Sequence, residues 1–289
     1  MASRDHHQDQ HTLSSVNTHF ESEEKLRYEL ARTVTLTPEL YERLFISPKT
    51  NVSGDFRTRF GNPTPIGVLG FSVGVIPLAI SFMGWQGSGG SSVATTTVNI
   101  WFGGVLLFIA GFGEFLLGNT FPMMVFFAYG AHFLTYATTF IPWYNAVGYF
   151  NPDGSGIGSP GPGNQTAMFA ASYGMSHRPF YPMVMCILSF IFLVGSLRTN
   201  LVFVIIFIFA TIGFGLGAGA FFHLARGNIA TGTKLATGLG ACFFATGVLG
   251  FYFLLALVVA IMELPIPDIP VGDMSTVIKA KSRAVAKED

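Results

Sequence analysis

The chain has 289 residues, 50% of them hydrophobic and only 11% charged, with 30 phenylalanines and a formal net charge of zero. A water-soluble domain of this length carries about a quarter charged residues, so the composition excludes one and points to an all-α, polytopic membrane protein in a lipid bilayer. With no basic excess, no nucleic-acid partner is expected.

In chain order, residues 1–60 form a charged tail with eight Lys/Arg and nine Asp/Glu. It contains no apolar core segment and so no secretory signal is expected; residues 1–35 read as largely disordered. Thr37-Pro38-Glu39 supplies the cap, first-turn proline and early acid of a short helix near 38–46. Leu40, Leu44 and Phe45 would share one face of that helix, which suits a helix lying at the membrane interface.

The tail gives way to Phe60–Gly67, reading FGNPTPIG. Two prolines at the start of an apolar helix set the backbone for helix entry and are expected to leave a weakly positive helix end facing the mouth of a bundle. Asn62 and Thr64 add an amide and a hydroxyl beside it.

Six apolar runs follow that are long enough to span: Ile66–Phe82, Val98–Leu117, Phe121–Trp143, Tyr181–Leu197, Leu201–Phe222 and Leu239–Met262. Glycines inside them (Gly104, Gly111, Gly213, Gly217, Gly247) suit close helix approach in lipid. The expected divisions are a cytoplasmic tail over 1–60, a six-helix transport domain over 61–262, and a cytoplasmic tail over 263–289.

Alternation of the runs puts both termini on one side. That side carries thirteen Lys/Arg, namely eight in the N-tail, Arg198 and four in the C-tail, against Arg178, Arg226 and Lys234 opposite. The positive-inside rule then places both termini in the cytoplasm. The same topology leaves the Asn51 sequon inside and turns the Asn164-Gln165-Thr166 sequon outward, making Asn164 a glycosylation candidate. Cys186 and Cys242 sit in apolar runs and read as core residues; neither a metal nor a cofactor is expected.

Between residues 61 and 262 the only acids are Glu114 and Asp153, and Glu114 alone lies within a span. An intramembrane carboxylate costs about 2.5–3.5 kcal/mol on insertion scales. Glu114 therefore reads either as a proton- or substrate-linked group or as a brace bonding the Asn119–Thr120 turn at its helix end. On the third run Tyr129, His132, Phe133 and Tyr136 fall on one helical face, suiting a narrow aromatic lining with a few hydrogen-bonding groups, or ordinary interhelical packing. His132 reads as a proton relay or a satisfied core histidine. Within the spans no Lys or Arg stands to hold an anion permanently. This favours weak, rapid passage of a small acid.

Two familiar classes do not fit. A water channel needs two Asn-Pro-Ala half-helices meeting at the midplane, whereas Asn62-Pro63-Thr64 lies at the interface and Asn151-Pro152 is followed by Asp153-Gly154 in a glycine-rich loop. With no phosphate-binding loop, dinucleotide fingerprint or nucleophile triad, an enzyme is not expected.

FGNPTPIG, Ala110-Gly111, Glu114, Gly118-Asn119-Thr120-Phe121, Tyr129-Gly130-Ala131, Ile141-Pro142-Trp143 and Leu197-Arg198-Thr199-Asn200 resemble, in order, the motifs of the acetate uptake transporter family. The segments Ser47–Arg57 and Pro270–Asp273 resemble its fungal members, and the resemblance covers residues 38–275. It implies a six-helix protomer that assembles as a homo-hexamer, each protomer with its own path for acetate and similar short carboxylates, coupled to protons at the plasma membrane. It also implies a hydrophobic constriction at Phe71 and Tyr129, with Ala210 where the family has leucine. Gly113 replaces a usual tryptophan and His132 a usual aromatic. The wider throat left by Ala210 implies tolerance of acids larger than acetate. An ammonia or ammonium exporter, or a non-transporting acetate sensor, remains an alternative on the same scaffold.

Overall fold

The computed structural model describes residues 60–144, 180–274 and 277–278. The expected interfacial helix near 38–46, the N-tail, the Asn51 sequon and Asn164 lie outside the described residues.

Six long helices occupy these residues. Helix α1 is Thr64–Met83, α2 is Ser92–Leu116 and α3 is Thr120–Thr139. After them α4 is Phe180–Ser196, α5 is Leu201–Ala225 and α6 is Ile229–Ile261. By length and composition α1, α2, α5 and α6 are able to cross a membrane, while α4 is a shorter apolar helix of 17 residues. Among the described residues no strand occurs; Asn200 and Asp273 make an isolated antiparallel bridge.

Boundaries follow local chemistry. Helix α1 ends at Gly84, whose φ of 72° places it in the left-handed region that a helix stop requires. Helix α3 ends at Thr139, short of the expected Trp143, because Pro142 cannot continue it. Helix α6 begins ten residues before the expected Leu239. There Asn228 caps it by accepting from the Thr231 N–H at 3.3 Å, and a polar Thr/Gly turn extends the helix ahead of its apolar run. At 33 residues it is about 50 Å long, well beyond a hydrocarbon core of about 30 Å. In α2 a π-helical stretch, Asn99–Leu106, precedes regular helix over Leu107–Leu116.

The helices close around a shared core. Side-by-side packing runs α1 to α2, α2 to α3, α4 to α5, α5 to α6 and α6 back to α1. The remaining junction, α3 to α4, is made by Tyr129 against Phe192, with ring centroids 6.0 Å apart, and by Phe121 against Phe192 at 6.1 Å. Close approach depends on missing side chains. A Cβ at Gly240 of α6 would lie 2.8 Å from the Ala79 carbonyl oxygen of α1. Phe126, Tyr129, Phe133, Phe207, Phe214 and Phe243 fill the centre.

Beyond α6 the chain turns back. Val271, buried to 2% exposure, docks on the α4–α5 turn. The Leu201 N–H donates to the Gly272 carbonyl at 2.7 Å, and the Met274 N–H to the Thr199 carbonyl at 3.0 Å.

Candidate functional site: a polar cluster and a series of apolar cavities

At the start of α1 the backbone donors are largely used up. Pro63 and Pro65 have none, the Thr64 N–H donates to Asn62 Oδ1 at 2.8 Å, and the Gly67 N–H donates to the Pro63 carbonyl at 3.3 Å. The exposed positive helix end expected from the sequence is thus mostly satisfied from within.

The polar side chains of this region form a cluster closed on itself. The Thr64 hydroxyl donates to one carboxyl oxygen of Glu114, and Asn119 Nδ2 donates to the other at 2.6 Å. The Asn119 N–H further donates to the Glu114 carbonyl at 2.9 Å. Thr64 and Glu114 are fully buried. The cluster ties the first turn of α1 to the last turn of α2 and to the cap of α3, joining side chains up to 55 positions apart in sequence. Asn119 in the following turn is the partner that the bracing reading of Glu114 named. Thr64 was not, because the bond joins residues 50 apart.

The aromatic candidates sit elsewhere, along a row of three cavities between the helices. A proximal cavity of about 40 Å³ is lined by Val68, Phe71, Tyr129, Phe203 and Ala210 among others. A middle cavity of about 20 Å³ shares Phe71, Tyr129 and Ala210 with it and adds His132 and Thr246. The distal cavity, about 30 Å³, shares His132, Leu78, Phe214 and Phe243 with the middle one and adds Tyr136 and Tyr181. The structure thus brings Phe71, Tyr129, Ala210, His132 and Tyr136 onto one line, while Asn62, Thr64 and Glu114 line none of these three cavities.

The cavity walls are apolar, and several polar side chains among the lining residues are engaged within the protein. Ser189 donates to the Met185 carbonyl at 2.7 Å, which leaves its oxygen to accept from the Tyr129 hydroxyl at 2.8 Å. Thr246 donates to the Phe243 carbonyl at 2.7 Å. His132 Nδ1 and the Tyr181 hydroxyl are 2.8 Å apart with their rings stacked. Phe71 meets Tyr129 edge-on at 6.5 Å, and both rings line the proximal and the middle cavity. Ser189 and Tyr181 were missed from sequence. Their only signal there is a hydroxyl on an apolar helix, which does not reveal a partner 60 or 49 residues away. Among the described residues no group of His, Cys, Asp or Glu is arranged to hold a metal ion.

A model of the GPR1/FUN34/yaaH family matches residues 47–271. The chain belongs to this family. It is similar to Protein alcS of Aspergillus fumigatus (strain CBS 144.89 / FGSC A1163 / CEA10), with 38% identity over 247 residues covering 84% of this chain and 86% of that protein. A shorter match joins it to the succinate-acetate/proton symporter SatP of Escherichia coli (strain K12), with 35% identity over 78 residues covering 27% of this chain and 40% of that protein. Among solved structures, that of the bacterial acetate channel SatP superposes with a TM-score of 0.54 at 23% identity, covering 74% of this chain and 99% of that chain. That likeness establishes the family fold for these helices.

Proposed function

We propose that this chain is a plasma-membrane transporter or channel, not an enzyme, for acetate and similar short-chain monocarboxylates, with uptake linked to protons. The observation that carries the reading is the row of small apolar cavities past Phe71, Tyr129 and Ala210. The proximal one holds about three water-sized spheres, the scale of a molecule with four heavy atoms. Family membership and the named substrates of the SatP proteins support the same reading.

In this reading α1 to α6 are six membrane spans with both termini cytoplasmic. Copies assemble as a homo-hexamer through part of the outward apolar surface, where Trp101, Phe112 and Phe115 are exposed. Phe71 and Tyr129 form the gate. Asn62, Thr64 and Glu114 orient the entry helix, a role supported by the engagement of both Glu114 carboxyl oxygens.

The test is uptake of labelled acetate into liposomes holding the purified chain, with and without a pH gradient. Uptake stimulated by an acid exterior is expected. Uptake of ammonium without acetate would replace this reading with that of an exporter, as named for Ammonia transport outward protein 2 of Saccharomyces cerevisiae, 28% identical over 101 residues. Acetate-dependent signalling without any flux would replace it with a sensor.

A further inference from the structure

We propose that the His132–Tyr181 pair is the docking step of the pathway and that the species it accepts is the neutral, protonated short carboxylic acid rather than its anion. This rests on the transport reading above.

Two independent features point there. The first is the character of the walls. All three cavities are apolar, and among the described residues no Lys or Arg lines any of them. An ionised carboxylate stripped of water in such surroundings faces a penalty that a neutral acid escapes, since the neutral form leaves one donor and one acceptor to satisfy. Glu114 lines none of the three cavities, is itself held by Thr64 and Asn119, and adds no positive charge.

The second feature is the pair itself. His132 and Tyr181 both line the distal cavity, and His132 also lines the middle one, so the pair sits where the two meet. Their hydrogen bond joins two residues lining the same cavity, whereas the Tyr129 hydroxyl is turned to Ser189 and that of Thr246 to a backbone carbonyl. Opened, the pair offers a phenolic donor and an imidazole acceptor side by side, when the ring is in its neutral form. A carboxylic acid matches both. Its carbonyl accepts from the Tyr181 hydroxyl while its O–H donates to the His132 nitrogen, so one hydrogen bond is exchanged for two and no buried group is left unsatisfied. An anion presents acceptors only and leaves the imidazole nitrogen facing a lone pair.

The experiment uses the full chain in liposomes. Acetamide serves as probe because it is uncharged, has the shape of acetic acid, and carries one acceptor and a donor group. Stopped-flow swelling in an acetamide gradient is expected to run at least tenfold faster than in protein-free liposomes. Labelled acetate uptake is expected to be unchanged when a potassium diffusion potential of either sign is imposed. Tyr181→Phe, which keeps the stacked ring and removes one hydroxyl, and His132→Phe are each expected to lower acetamide flux at least fivefold while the purified variants elute from size exclusion like the parent. Acetate uptake that follows the imposed potential, with no acetamide flux, would overturn the neutral-acid assignment and leave the transport reading standing. Acetamide flux unchanged in both variants would overturn the role of the pair. A parent protein that carries neither solute would overturn the transport reading itself.

Discussion

Glu114 has no exposed surface, and its carboxyl oxygens are taken by Thr64, 50 residues away, and by Asn119 in the following turn. Thr64→Val keeps the shape of the side chain and removes one donor, leaving a buried acceptor short of a partner at a cost of about 1–3 kcal/mol. A melting temperature several degrees lower is expected in a thermal melt of the detergent-purified protein. Asn99 behaves in the opposite way. It is 1% exposed, and neither of its side-chain polar atoms has a hydrogen-bond partner among the described residues. Asn99→Leu replaces an unsatisfied amide with an apolar group of similar size, so the same melt is expected to show an unchanged or higher midpoint. Ala210 lines both the proximal and the middle cavity. Ala210→Leu adds bulk to the wall of both cavities, and propionate and lactate are expected to lose ground to acetate in competition uptake; an unchanged ratio would show that this position does not set size. Phe71 and Tyr129 were legible as partners in the sequence through the family resemblance. The bonds of Tyr129 to Ser189 and of Thr64 to Glu114 were not, because helical periodicity assigns a residue to a face without saying which helix that face meets.

At the scale of elements, the segment after α6 is a strap. The Leu201 N–H, one of the donors that a helix start leaves over, is satisfied by the Gly272 and Val271 carbonyls at 2.7 and 3.1 Å. Asn200 caps the same helix by accepting from the Phe203 N–H at 2.9 Å, and Phe203 lines the proximal cavity. Tyr252 anchors the strap from α6 through its hydroxyl to the Pro270 carbonyl at 2.6 Å. Gly272 is the weak point. Its φ of 69° is strained for any residue with a branched side chain, and a Cβ there would stand 2.9 Å from that of Leu201. Gly272→Val is expected to loosen the strap, read as faster removal of the C-terminal tail in limited proteolysis of the purified protein. The sequence showed that Pro265, Pro267 and Pro270 end the helix and extend the chain. It did not show the docking, which depends on where the α4–α5 turn lies in space.

At the scale of the molecule, large apolar side chains point outward, among them Trp101 at 63%, Phe112 at 60% and Phe115 at 61% exposure. Exposed apolar surface of this kind suits lipid or another copy of the chain rather than water. The proposed orientation is tested by labelling intact cells with a membrane-impermeant thiol reagent, after Cys186→Ala and Cys242→Ala. Ser14→Cys and Ala286→Cys are expected to stay unlabelled until the membrane is opened, and Ser155→Cys to react at once. Labelling of either tail from outside would reverse the topology.

The sequence by itself determined that this is a helical membrane protein, where its apolar helices run to within a few residues in most cases, and which family its motifs resemble. These are properties of local composition and period, because a bilayer forces every backbone group into a helix over a fixed length. Tertiary structure alone decided that Glu114 is braced by Thr64, that the aromatic candidates fall on one row of apolar cavities, and that His132 faces Tyr181. Each of those depends on which helix packs against which, and that choice is made by close approach at residues such as Gly240 and by ring packing across α3 and α4, contacts between positions far apart in the chain.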